Sequence, residues 1–196
     1  MKWDGNLKQK NFFEYSSNFF ELFSEIIISK KKTSIDINQG FEEILKTLKN
    51  IKRSGNKIIL IGNGASATMA DHYAIDLSKN LNFKTISFNQ SASLTAIGND
   101  ISFDKVFSHP LILYGEKNDL LLAISSSGNS KNIIEAIKVA NRKNMKVLTL
   151  SGMKHSNKIR TIGTYNIYYP AKTYGLVESA HALILHYLID MLKDTE

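Results

Sequence analysis

Residues 120–130 read LLLAISSSGNS. Leu120, Leu121 and Leu122 open an apolar run that predicts a buried strand over 119–124, and helical periodicity resumes over 129–142. Between them stand Ser125, Ser126, Ser127 and Ser130. One serine suffices to cap a helix, so four hydroxyls in six residues exceed that need. Gly128 lets the backbone approach a ligand closely, and the following helix offers free N–H groups and the positive end of its dipole. The stretch reads as a neutral cradle for an anion, phosphate above all.

The same grammar occurs upstream. Residues 57–61, KIILI, predict a parallel strand, followed by Gly62-Asn63-Gly64-Ala65-Ser66 and a helix over 66–79. Further short strands are predicted at 84–88, 146–150 and 165–169, with helical segments near 92–97, 104–113 and 176–193. The alternation predicts an α/β fold, a five-stranded parallel sheet flanked by helices on both faces. In such sheets ligands sit beyond the carboxyl ends of the strands, where both Gly–Ser loops fall.

Ahead of this unit, apolar spacing predicts helices over 11–28 and 36–53, the second capped by Asp36 and stopped at Gly55. Lys30-Lys31-Lys32 and Thr33-Ser34 separate them and read as a solvated loop. Residues 1–34 are therefore expected to form an N-terminal helical extension for oligomer contact, and 35–196 the α/β domain.

The chain has 196 residues, 43% of them hydrophobic, enough for one sizeable core. It has no cysteine, which excludes disulfides and thiolate metal sites and suits a reducing compartment. The opening residues show no secretory h-region, and the sequence reading finds no membrane span, so a cytoplasmic protein is expected. The net charge of +7 comes mainly from scattered lysines; clustered arginine with interleaved aromatics, the mark of a nucleic-acid surface, is missing. An anionic small substrate agrees with the charge.

Other phosphate motifs fit poorly. Gly62–Ala67 matches the looser dinucleotide pattern GxGxxA, but the second strand ends in Phe88-Asn89-Gln90, without the carboxylate that would hold a ribose. Gly-Lys-Ser/Thr and the GxSxG elbow are both missing from these loops.

GNGASA (62–67), AIGND (96–100), ISSSGNS (124–130) and VESAHALILHYLID (177–190) together resemble the sugar isomerase (SIS) domain family, and within it the phosphoheptose isomerases. The resemblance spans about residues 35–193. It implies a flavodoxin-like sheet, a homotetramer with active sites between subunits, and aldose–ketose isomerisation of a seven-carbon sugar phosphate for heptose in lipopolysaccharide or capsule. It also implies zinc in several members. Substrate would be held by Asn63, Gly64, Ser66, Ser125, Ser126, Ser127 and Ser130, with Gln90 where the family often has aspartate.

Aldose–ketose isomerisation needs a base, an acid and polarisation of a carbonyl. His72 and Asp76 lie one helical turn apart on one face. By resemblance, His72 is a zinc ligand. Asp76 stands where the family usually has glutamate, a ligand and catalytic base. Glu178 replaces a usual glutamine, and His186 matches a catalytic and metal-binding histidine. The implied metal set is His72, Asp76, Glu178 and His186; the catalytic set is Asp76, His186 and Glu178, with either carboxylate as base. Residues 178 and 186 lie roughly 12 Å apart along a regular helix. Either Glu178 precedes the helix or the two come from different subunits. Glu178 and His181, at i,i+3, form a competing pair, although His181 reads more readily as core or interface. His109 and His155 read as structural or surface residues. Near Tyr174-Gly175-Leu176 the usual Asp and Arg are missing, which bears on the sugar more than on the reaction. Two rivals remain: an isomerase of another sugar phosphate, and a non-catalytic relative of the type that binds the replication initiator.

Overall fold

A computed structural model describes residues 11–194. The first ten residues of the expected extension lie outside that range. Seven strands form one sheet: β1 (Ile27–Lys30), β2 (Thr33–Ile35), β3 (Lys57–Gly62), β4 (Lys84–Ser87), β5 (Leu120–Ser125), β6 (Lys146–Ser151) and β7 (Tyr165–Tyr168). Their order is β2-β1-β7-β6-β5-β3-β4. The five strands β3 to β7 are mutually parallel where they pair, as expected, and run in the flavodoxin-like order 4-3-5-6-7. Chain direction along the sheet reverses between β3 and β5, and the two Gly–Ser loops leave that point side by side.

β3 and β5 are buried on both faces because every side chain has a helix above or below it. Ile58, Leu60, Leu120, Leu122 and Ile124 join one core with α2 (Ile37–Arg53), α3 (Ala65–Leu81) and α7 (Tyr174–Lys193). Ile59, Ile61, Leu121 and Ala123 join the other, with α5 (Ser108–Tyr114) and α6 (Lys131–Arg142). The period-2 alternation of a strand thus splits one apolar run between two layers. α4 (Ser91–Asp100) continues from β4. Three short 3-10 turns, at Leu22–Glu25, Phe103–Lys105 and Lys158–Thr161, complete the elements, the second replacing the start of the helix expected at 104–113. α7 is long and apolar enough to cross a membrane by length and composition. Its Leu176, Val177, Ala180, Ile184, Leu185, Leu188, Ile189 and Leu192 are instead packed into the core.

The N-terminal segment departs from the helix–loop–helix expected of it. The expected helix over 11–28 is α1 (Phe12–Glu21) and a 3-10 turn, and the chain then becomes extended. Lys30-Lys31-Lys32 is not a link between helices. Lys31 and Lys32 make the tight turn of a hairpin in which β1 pairs antiparallel with β2 and with β7. Lys31 adopts φ 57°, unusual for a side-chain-bearing residue. Three successive isoleucines, Ile26–Ile28, favour strand over helix. Ile28 is fully buried under α2, where Gly40 permits the approach: a Cβ there would stand 2.6 Å from Ile28 Cγ2. The hairpin is therefore part of the sheet, which is larger than five strands.

Candidate active site

The first loop is shaped by close backbone packing. A Cβ at Gly62 would collide with the Ser66 carbonyl, and Gly64 takes φ 56°, ψ −127°, a region that glycine alone enters cheaply. Ser66 is buried at the start of α3, where no side chain caps the helix. The second loop turns at Gly128 (φ 61°), whose α-carbon lies against the Asn157 side chain. Ser130 occupies the cap position of α6 but makes no cap bond. Its Oγ faces Ser125 Oγ at 3.5 Å instead. Ser126 Oγ is buried without a partner, and Ser127 Oγ accepts the Asn129 N–H at 3.3 Å. These hydroxyls are thus not spent on capping. A buried donor left free, beside two uncapped helix N-termini, is what an anion cradle requires.

The loops are tied together by a pair that sequence reasoning missed. Asn63 Nδ2 donates to Asn132 Oδ1 at 3.0 Å, and Asn132 Nδ2 donates back to Asn63 Oδ1 at 2.8 Å. Asn132 Oδ1 also accepts the Ile133 N–H at 2.9 Å. Asn63 is thus a brace as well as a candidate contact. Asn89 makes a second brace, donating to Ala67 O and Asp71 Oδ1 at 3.1 and 3.0 Å. Gln90 is exposed and donates to Ser87 O at 3.0 Å, at the mouth of α4 rather than inside the loops.

α3 carries His72 and Asp76, and α7 carries His186, onto one patch. His72 Nε2 stands 3.3 Å from Asp76 Oδ2. The His72 and His186 rings meet edge-on at 5.7 Å between centroids. Tyr73, another residue the sequence reading passed over, sets this geometry. Its ring lies 4.9 Å from that of His186, and its hydroxyl donates to Ala182 O at 2.8 Å, tying α3 to α7. Burial pushes the Tyr73 hydroxyl up to about 12, so it stays a donor. The His72 side chain is 57% exposed and that of Asp76 18%. The patch lies two turns, roughly 10 Å, along α3 from the first loop.

Glu178 does not join the cluster within one chain. It lies inside regular α7, eight residues before His186, so it does not precede the helix. Among the described residues no three His, Asp or Glu side chains converge as a metal set. His72, Asp76 and His186 are suitable zinc donors by type. Nor does Glu178 pair with His181, which is fully buried. Neither His181 nitrogen has a well-formed hydrogen bond, and burial drives the imidazole down to about 4 against an opposing effect of the Ser151 backbone. His109 is exposed, and His155 packs edge-on against Tyr168.

A doubly wound α/β protein with two hydroxyl loops at its switch point and an imidazole–carboxylate cluster beside them is a sugar-phosphate-handling domain. Residues 15–152 match the SIS domain family, and the chain belongs to it. It is 33% identical over 188 residues to the phosphoheptose isomerase of Buchnera aphidicola subsp. Acyrthosiphon pisum (strain Tuc7), covering 88% of this chain and 97% of that one. It is also 33% identical over 163 residues to the phosphoheptose isomerase of Helicobacter pylori, covering 80% and 82%. The structure of phosphoheptose isomerase from Neisseria gonorrhoeae superposes with a TM-score of 0.80 at 28% identity, covering 92% of this chain and 96% of the other.

Proposed function

We propose that the chain is a cytoplasmic aldose–ketose isomerase that converts sedoheptulose 7-phosphate to the aldose heptose 7-phosphate, D-glycero-D-manno-heptose 7-phosphate, for heptose biosynthesis. The observation that carries this reading is the approach of His72 to both Asp76 and His186 between α3 and α7, on the helix that leaves the first loop, together with the buried, unpartnered Ser126 Oγ in the second loop. Relatives named phosphoheptose isomerase, similar over nearly their full length, support the substrate.

The hydroxyls of Ser66, Ser125, Ser126, Ser127 and Ser130 hold the phosphate, which fixes the sugar at one end. A base takes a proton from C1 of the open-chain ketose while an acid protonates the C2 carbonyl oxygen. The result is the 1,2-enediol. Return of a proton to C2 and loss of the O1 proton give the aldehyde, with no net change in electrons. Asp76 or Glu178 takes the carbon-bound proton, Asp76 being held by the His72 contact, and His186 serves the oxygens. Zinc, when bound, would polarise the carbonyl; His72, Asp76 and His186 would contribute donors from one chain, and Glu178 of a second copy would complete the set.

A homotetramer with active sites between subunits is part of this proposal. Ile75, Leu183 and Tyr187 are exposed apolar residues on the same helices as the cluster, and Phe12, Phe13 and Phe20 are exposed on α1. Such a surface calls for a partner. Retention of the cluster favours catalysis over a binding-only role.

The test is proton NMR of sedoheptulose 7-phosphate with the purified protein in heavy water. Appearance of the aldose with deuterium beside the carbonyl is expected. Absence of turnover and of exchange, with a tetramer and metal present, refutes the assignment.

A further inference from the structure

A second basic site lies away from the hydroxyl loops, on the sheet face covered by α6 and against the N-terminal hairpin. There a cavity of about 760 Å³ opens, lined in part by Ser29, Ser34, Lys32, Lys138, Lys158 and Arg160. Its position follows from strand alternation: Ile28 faces the α2 core, so Ser29 and its cross-strand partner Ser34 face the opposite way.

The charge in this cavity is unbalanced. No carboxylate lines it among the described residues. Lys138 is partly neutralised by Glu135 at 2.7 Å, but Lys32, Lys158 and Arg160 make no ion pair among the described residues. Arg160 is only 8% exposed. Its guanidinium lies 4.3 Å from the Tyr168 ring centroid, one nitrogen donates to His155 O at 2.5 Å, and Nε is buried without a partner. A buried arginine with no counter-anion is costly, and a bound anion removes that cost. Ile134 and Ile162 add an apolar wall.

We propose that this cavity is a second anion site, distinct from the sugar-phosphate cradle, and that it takes a small molecule bearing a diphosphate. Three uncompensated cations call for more than one negative charge, and the volume holds a ligand larger than inorganic phosphate. The lysine run that sequence alone assigns to solvent thereby gains a role through Lys32. The site also touches the catalytic loop from behind: Ile159 N–H donates to Gly128 O at 3.1 Å, and Lys158 N–H to Asn129 Oδ1 at 3.2 Å.

The test is calorimetric titration of the full chain with pyrophosphate, and separately with inorganic phosphate, at constant ionic strength. Pyrophosphate is expected to bind at least about tenfold more tightly than phosphate. The double variant Lys32→Glu/Lys158→Glu is expected to lose about tenfold or more of that affinity, while Ser127→Ala/Ser130→Ala leaves one site within about twofold of wild type. The lysines carry the test because Arg160 is packed on Tyr168 and its removal endangers the fold. Three results overturn the proposal: no binding up to about 5 mM pyrophosphate, binding that survives the lysine reversals, or binding abolished by the serine pair.

Discussion

Gly128→Ala tests the architecture of the phosphate loop most directly. The residue has φ 61°, and its new Cβ would fall inside the Asn157 amide and 2.8 Å from Asn157 Cβ. The left-handed backbone costs a side-chain-bearing residue about 1–2 kcal/mol. Relief of the clash requires Asn157 to move, although this side chain is buried and donates to Gly152 O at 3.1 Å and Lys154 O at 2.9 Å. Losing those bonds costs about 1–3 kcal/mol, for a total of about 2–5 kcal/mol. At roughly 2–4 °C per kcal/mol for a chain of this size, the melting temperature falls by about 4–20 °C.

The cause is separable by a double-mutant cycle. Asn157→Gly removes both the amide and the Cβ that the new methyl would strike. The double variant Gly128→Ala/Asn157→Gly should therefore be more stable than the sum of the two single losses predicts, by about 1 kcal/mol or more. Calorimetric unfolding supplies the cycle, and titration with the sugar phosphate reports the loop. Gly128→Ala with unchanged melting temperature and affinity, or strictly additive losses, would refute the close-packing account of this turn.

The cluster and the core make further predictions. His186→Ala should abolish isomerisation while the oligomer persists by light scattering; full activity would remove His186 from the reaction. Asp76→Glu extends the carboxylate by one methylene, and a shift of about 1 Å is worth on the order of a hundredfold in kcat, so steady-state rates should change strongly in this variant. Neutral His181 has a folded pKa near 4, below its unfolded value of about 6.5. Its contribution is complete above pH 6.5 and declines as pH falls towards 4, by about 3 kcal/mol in all. His181→Leu should flatten the denaturant-measured stability profile in that window relative to wild type. Leu183→Glu should break the proposed oligomer in sedimentation, because Leu183 is exposed on α7, one turn before His186.

The centre of the sheet is legible in the sequence because β3 and β5 are almost wholly apolar and end in glycine and serine. Leu120–Ser125 and Lys57–Gly62 follow the reading almost residue for residue. The hairpin is less legible because its turn, Lys31-Lys32, lacks the glycine or asparagine that marks such turns, and because the phenylalanines before it continue a helical period. The positions of the hydroxyl loops after β3 and β5 are legible, but their bracing is not. No periodicity announces that Asn63 and Asn132 exchange hydrogen bonds across 69 residues, or that Tyr73 reaches Ala182 across 109. Such contacts depend on tertiary approach, which a local pattern does not encode.

Under the proposed function, Glu178 is the residue that one chain alone does not bring to the cluster. Its helix is regular from Tyr174 to Lys193, so its separation from His186 is fixed at roughly 12 Å. No rotamer change brings both side chains to one ion. His72, by contrast, already lies between Asp76 and His186, and its side chain is more than half exposed. Ile75 on α3 and Leu183 and Tyr187 on α7 are exposed apolar residues, a surface that suits a subunit seam better than solvent. If Glu178 from a second copy completes the set, losing the oligomer must also lose the metal. Leu183→Glu then loses zinc as it loses partners, while Glu178→Ala loses zinc and keeps the oligomer. A dissociated chain that retains stoichiometric zinc would show that the metal site is built within one subunit.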